Sequence, residues 1–173
     1  VAINVVDAST IEAMGIDEYT DLTRISPSLT MNRGDWATNS GFSLRGIGTN
    51  VFSTNIDPSV SIIVDDVAVV RSAQAFSDLS DINRIEVLRG PQSTLFGKSA
   101  SAGVINIVTN SPGDEFNGKI QGSKTDDDET SISATIGGPL SDTVGFRISA
   151  FDKDRSDGHI KNVTNNADVN GSQ

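Results

Sequence analysis

The sequence predicts an α+β fold: a mixed β-sheet with short helices, followed by antiparallel strands of a different kind. Three observations predict it. The stretch Arg84–Thr109 reads as strand, tight turn, short polar segment, strand. Two brief helical patterns precede it between Ser9 and Pro27. After Ser111-Pro112-Gly113-Asp114, the best domain boundary, the chain turns to alternation of apolar and polar residues, in Ser131–Gly137 and Thr143–Ala150. That period of two marks strands with one apolar and one polar face.

Composition narrows the function. The 173 residues carry a net charge of −10 and no cysteine. Nucleic-acid binding needs clustered Lys and Arg, so no nucleic-acid partner is expected. Without cysteine there is no disulfide, zinc-thiolate or thiol chemistry. No run of about 18 apolar residues exists for a transmembrane helix, and no signal peptide is visible. A lone His159 and no GxSxG motif leave nothing for nucleophilic or metal catalysis. No enzyme, catalytic residue, metal or cofactor is expected.

Taken in order, Val1–Val6 reads as a short strand. Ser9-Thr10-Ile11-Glu12 fits a capping box with Ser9 as N-cap, and Gly15 suits the helix end. A second helix from Asp17 carries Tyr19, Leu22 and Ile25 at spacing three and stops at Pro27. Ser28–Ser40 reads as an exposed polar loop holding Arg33-Gly34-Asp35 and Trp36, the only tryptophan. Phe42–Gly46 alternates as a half-buried strand, and Gly46–Asp57 reads as a second long loop. Val60–Val64 and Val67–Val70 form a hairpin around Asp65-Asp66. Phe76, Leu79 and Ile82 repeat at spacing three and read as a helical segment.

Ile85, Val87 and Leu88 then supply a β-prone run, which Gly90-Pro91 stops. Val104–Val108 is apolar except for Asn106, the pattern of a strand covered on both faces. Between them, Gly97-Lys98-Ser99 ends like a P-loop. Position 92 is Gln where that motif needs Gly, and a strand follows where it needs a helix, so a plain turn is the reading. Past the linker, Phe116–Lys124 is a strand of weak alternation, Asp126–Glu129 a solvated turn, and Gly138–Asp142 the turn between the two alternating strands.

Three ordered pieces carry a family resemblance: Arg84–Pro91 (RIEVLRGP), Gln92–Gly97 (QSTLFG) and Ala102–Thr109 (AGVINIVT). They resemble the plug domain of TonB-dependent outer-membrane receptors. The helix pair Ser9–Pro27, the segment Leu44-Arg45-Gly46 and the hairpin resemble it as well, although the family usually has Asp-Gly where Asp65-Asp66 stands here. Asp tolerates positive φ, so the hairpin is expected to survive. The resemblance runs from Val1 to about Val169.

The resemblance implies residues 1–112 as the plug and residues 113–173 as the first three strands and loops of a transmembrane β-barrel, incomplete in this chain. It implies a fragment of a Gram-negative outer-membrane transporter for a scarce nutrient such as a ferric siderophore, its full barrel surrounded by outer-membrane lipid. It implies an inner-membrane energy-coupling partner of the TonB type, acting through a segment upstream of Val1. Arg45 and Arg89 would lock the plug to glutamates of the barrel. Outward loops holding Asn32, Arg33, Trp36, Asn50, Phe52, Asn55 and Arg71 would touch ligand. Two other readings stand beside it: a soluble plug-like binding module without a barrel, and a P-loop enzyme.

Overall fold

The structure is a computed structural model that describes residues 2–32, 40–49, 57–69, 79, 81–124 and 129–155. The chain divides into two compact units, Val1–Asn110 and Ser111–Gln173.

The first unit is built on a mixed sheet of β1 (Ala2–Asp7), β5 (Val60–Val64), β6 (Val67–Val69), β7 (Ile82–Arg89) and β8 (Gly103–Thr109). Their order is β1-β7-β8-β5-β6, with β5 and β8 parallel and the other neighbours antiparallel. Val6, Ile85, Val87, Ile105, Ile107 and Ile62 form the major core with Ile11, Ile16, Tyr19, Leu22, Leu29 and Leu44. On the opposite face of β8, Val104 packs with Ile63, Leu88, Phe96 and Ala100. This strand is therefore covered on both sides, which is why it reads as nearly continuous apolar sequence. The edge strand β1 leaves Ile3 and Val5 exposed.

Local chemistry shifts several expected boundaries. Helix α1 (Ala8–Met14) is capped by Asp7, not Ser9: the Asp7 carboxylate accepts from the Thr10 N–H and the Ser9 hydroxyl, both at 2.9 Å. A carboxylate is the stronger acceptor at a helix start, and Asp7 has the extended backbone that a cap requires. Gly15 ends the helix in the left-handed region, φ 58°. The second helical segment is a 3-10 helix over Tyr19–Arg24, with Tyr19, Leu22 and Ile25 buried on one side.

The expected loop after Ser28 begins instead as β2 (Leu29–Asn32), which pairs with β3 (Gly41–Leu44). All four residues of β3 are buried, where half burial was expected. The expected loop after Gly46 starts as β4 (Ile47–Gly48), joined to β3 by the two-residue turn Arg45-Gly46. Ile82 opens β7 and does not close a helix. Asp65 and Asp66 join β5 to β6 with φ of 47° and 66°, the positive pair that a primed hairpin turn demands.

The second unit holds β9 (Asn117–Lys124), β10 (Glu129–Ser141) and β11 (Val144–Arg155), antiparallel in the order β11-β10-β9. The turn between β10 and β11 is shorter than Gly138–Asp142, because β10 runs on through Pro139 to Ser141 with a bulge.

Candidate functional site

Arg45 and Arg89 each follow a leucine, and the fold brings those leucines to one point. Gly103 opens β8 opposite Arg89. A Cβ at Gly103 would run into Leu44 Cδ1 and the Leu88 carbonyl oxygen. The end of β3 thus packs over the start of β8, beside the end of β7.

The two arginines have different surroundings. Arg89 lies half-buried, and its Nη2 donates to Asn4 Oδ1 at 2.8 Å. Its Nε is buried with no acceptor among the described residues. A buried guanidinium donor without a partner is costly, so this group is incomplete by itself. Arg45 sits in the β3–β4 turn with φ 54°, next to Gly46 at φ 78°. Its backbone N–H donates to the Ser28 carbonyl at 2.9 Å. Its side chain is exposed, with no hydrogen bond or ion pair among the described residues.

Of the expected ligand-contact residues, Asn32 ends β2, where its side-chain amide donates to Ser43 Oγ at 3.1 Å. It therefore belongs to a sheet and not to the loop. Arg33, Trp36, Asn50, Phe52, Asn55 and Arg71 lie outside the described residues, as does Arg33-Gly34-Asp35. The P-loop look-alike is a four-residue helix, α2 (Ser93–Phe96), and a 3-10 turn over Lys98–Ala100 that leads into β8. Lys98 Nζ pairs with Asp57 at 2.6 Å.

Sequence reasoning missed two polar groups. Asp65 accepts from the Thr109 N–H at 2.9 Å and the Thr109 hydroxyl at 2.8 Å, while Asp81, at φ 60°, accepts from the Asn110 side chain at 2.9 Å. Together they fasten the end of β8. On the sheet face that carries Val5, Glu86 takes Arg84 Nε at 2.7 Å and Asn106 Nδ2 at 3.1 Å. Those hydrogen bonds, that of Arg84 first, hold the Glu86 carboxyl below its usual range. A lone Asn inside an apolar strand facing a Glu is the signal that could have found this group.

The second unit has two faces. Register rows place Gly118, Ile136 and Ile148 together, then Ile120, Ala134 and Ala150. This apolar face is uncovered: Ile120 is 82% exposed and Ile136 53%. The opposite face is polar, with Ser123 against Ser131 at 2.8 Å, Thr135 against Ser149 at 3.1 Å, and Lys153 on Glu129 at 2.9 Å.

A mixed-sheet domain that leads into antiparallel strands, apolar on one face and polar on the other, fits a plug domain followed by strands of a membrane barrel, with no closed barrel among the described residues. Residues 1–104 match the family model described as the TonB-dependent Receptor Plug Domain. The chain belongs to the TonB-dependent outer-membrane receptors. It is 32% identical to the "Pesticin receptor" of Yersinia pestis over 100% of this chain and 25% of that protein. It is 30% identical to the "Iron-regulated outer membrane virulence protein" of Vibrio cholerae over 92% of this chain and 26% of that one. Among solved structures, the ferric yersiniabactin uptake receptor FyuA from Yersinia pestis superposes with a TM-score of 0.83 at 31% identity, covering 99% of this chain and 27% of that one. The chain thus spans about a quarter of the length of the curated relatives it matches.

Proposed function

We propose that this chain is the plug and first barrel strands of a receptor for energy-coupled uptake of a ferric siderophore. Residues 1–112 close the lumen, and residues 113–173 begin the barrel around it. The observation that carries the reading is the uncovered apolar face of β9–β11, continued from a sheet of the plug family. A soluble module would leave that face in water. The relatives' names support the cargo: a ferric yersiniabactin uptake receptor and a ferripyoverdine receptor. Energy comes from an inner-membrane coupling protein of the TonB type.

Within this reading Arg45 and Arg89 lock plug to barrel. The orphan Nε of Arg89 calls for a carboxylate, and a guanidinium presents its donors in the fork that a carboxylate accepts. Asn32, Arg33, Trp36, Asn50, Phe52, Asn55 and Arg71 contribute polar groups and two aromatic anchors to ligand capture. The test is accumulation of radioactive iron from a panel of ferric siderophores, in cells carrying or lacking the receptor. Uptake of one siderophore that needs both the receptor and the coupling protein is expected. No receptor-dependent uptake from any of the panel would overturn the cargo assignment.

A further inference from the structure

We infer that the connection between the two units is clamped on both sides of one residue, Ser111, which is the pivot on which the plug turns during uptake while β8 and the linker both keep their seats. This rests on reading the chain as plug and first barrel strands, and adds the pivot to it.

The first clamp is polar and closes the first unit, which ends at Asn110. Thr109 donates its N–H to Asp65 Oδ1 at 2.9 Å and its hydroxyl to Asp65 Oδ2 at 2.8 Å. Asn110 donates its N–H to the Asp81 carbonyl at 3.0 Å and its side-chain amide to Asp81 Oδ1 at 2.9 Å, and accepts from Asn83 Nδ2 at 3.1 Å. Asp65 sits in the β5–β6 turn, Asp81 directly before β7, and Asn83 within β7. Two consecutive residues are therefore held by both strands that flank β8. The end of β8 cannot lift away without breaking these five hydrogen bonds.

The second clamp is apolar and opens the second unit. Pro112 lies against Gly145, where an added Cβ would come within 2.7 Å of the Pro112 Cβ. Phe116 lies over Gly138 and meets Phe146 edge-on, with ring centroids 6.0 Å apart. Gly138 pairs with Phe146 and Gly145 with Pro139, so strand alternation puts the two glycines on opposite faces of the β10–β11 hairpin. The linker thus grips the turn end of that hairpin from both sides. A side chain at either glycine would take the place of Pro112 or Phe116. Beyond the grip, Asn117 donates to the Glu115 carbonyl and accepts from Arg147 Nη1, both at 3.4 Å.

Ser111 alone stands between the clamps. It is exposed and makes no hydrogen bond among the described residues. Hinges are short positions whose backbone torsions absorb a movement. Rotation about ψ of Asn110 and φ of Ser111 breaks no contact described above, whereas displacement on either side breaks a clamp.

The chain has no cysteine, so paired cysteines test the clamp in the complete receptor. Pro112→Cys with Gly145→Cys should bridge under mild oxidation, because a disulfide sets its Cβ atoms about 3.8 Å apart and needs a shift of only about 1 Å here. Failure to bridge would overturn the second clamp. A nitroxide on Ser111→Cys should tumble faster than labels on Val108→Cys and Glu115→Cys; equal mobility at all three would overturn the pivot. Neither measurement needs cargo. They therefore stand apart from the siderophore assignment, whose own failure is a parent receptor that takes up none. In cells, radioactive iron supplied as the siderophore that the parent accumulates should enter through the bridged receptor within about 2-fold of its reduced form. Uptake that stops on bridging and returns with reductant would show that the linker leaves the hairpin, and would overturn the inference. Ser111→Pro, which fixes φ at the pivot, should lower uptake about 5-fold or more while siderophore binding at the cell surface stays unchanged. Parental uptake by Ser111→Pro would overturn the pivot.

Discussion

Arg89 Nη2 donates to Asn4 Oδ1 at 2.8 Å, tying the edge strand β1 to β7 by a side-chain bond between residues 85 positions apart. It is an interaction of charged donor with neutral acceptor, part-buried, beside a guanidinium nitrogen that has no acceptor among the described residues. Asn4→Ala should therefore cost about 1–2 kcal/mol, and the loss should concentrate in β1. Amide exchange at Ile3 and Val5 should quicken while that of Ile105 and Ile107 stays slow. Uniform quickening across the sheet would contradict a local tie.

Gly103 should tolerate no side chain. Its neighbours include the Leu88 carbonyl oxygen, which is backbone and cannot rotate aside. Gly103→Ala is expected to cost about 1–3 kcal/mol through displaced packing. Thermal unfolding of the chain measures it. An unchanged melting temperature would mean that β3 and β8 do not pack as described.

The hairpin offers a paired test. Both central residues have positive φ, but the Asp65 carboxylate binds Thr109 and that of Asp66 has no bond among the described residues. Asp66→Gly should be neutral or gain up to about 1 kcal/mol by relieving the left-handed backbone. Asp65→Gly should lose about 1–2 kcal/mol despite the same relief, because the bonds to Thr109 vanish. Urea midpoints of the two variants should move in opposite directions or differ clearly; equal shifts would remove the carboxylate from the account.

Glu86 gives a pH prediction. Its folded pKa lies below the ordinary 4.5, through hydrogen bonds from Arg84 first and then Asn106. The stability it contributes is therefore fully present above about pH 4.5 and is lost as the pH falls through the folded value. Glu86→Gln should flatten this part of the stability profile below about pH 4.5. Asp7, lowered by its bonds to Thr10 and Ser9, leaves a residual slope of the same sign. A variant profile parallel to the parent's would show that Glu86 carries no linkage.

The readable parts of the sequence were those where a single periodicity governs. Val104–Val108 is apolar because both faces of β8 are covered, and Ile132, Ala134 and Ile136 alternate because one face is not. Spacing misled where two periods coincide. Leu79 and Ile82 stand three apart as in a helix, yet Ile82 pairs with Thr109 in a strand. A long loop was expected from Gly46, but the pairing of Leu44 with Ile47 makes Arg45-Gly46 a two-residue turn and imposes positive φ on arginine, a poor candidate for it. Asn117–Lys124 alternated weakly because Gly118 and Gly122 occupy apolar-face positions without contributing side chains. The site was less legible. Arg45 and Arg89 stand out through repeated Leu-Arg-Gly, but nothing local marks Asn4 as the partner of Arg89.

The central claim is that Arg45 and Arg89 hold the plug in a barrel. Ion conductance of the complete receptor in a planar bilayer tests it most directly, comparing the parent with the double variant Arg45→Ala, Arg89→Ala. The parent should stay closed. The double variant should pass small ions, because, if the two arginines pair with barrel carboxylates as proposed, their removal leaves uncompensated charge worth about 3–5 kcal/mol. A double variant as tight as the parent, with siderophore uptake intact, would contradict the account and leave both arginines as ordinary turn and strand-end residues.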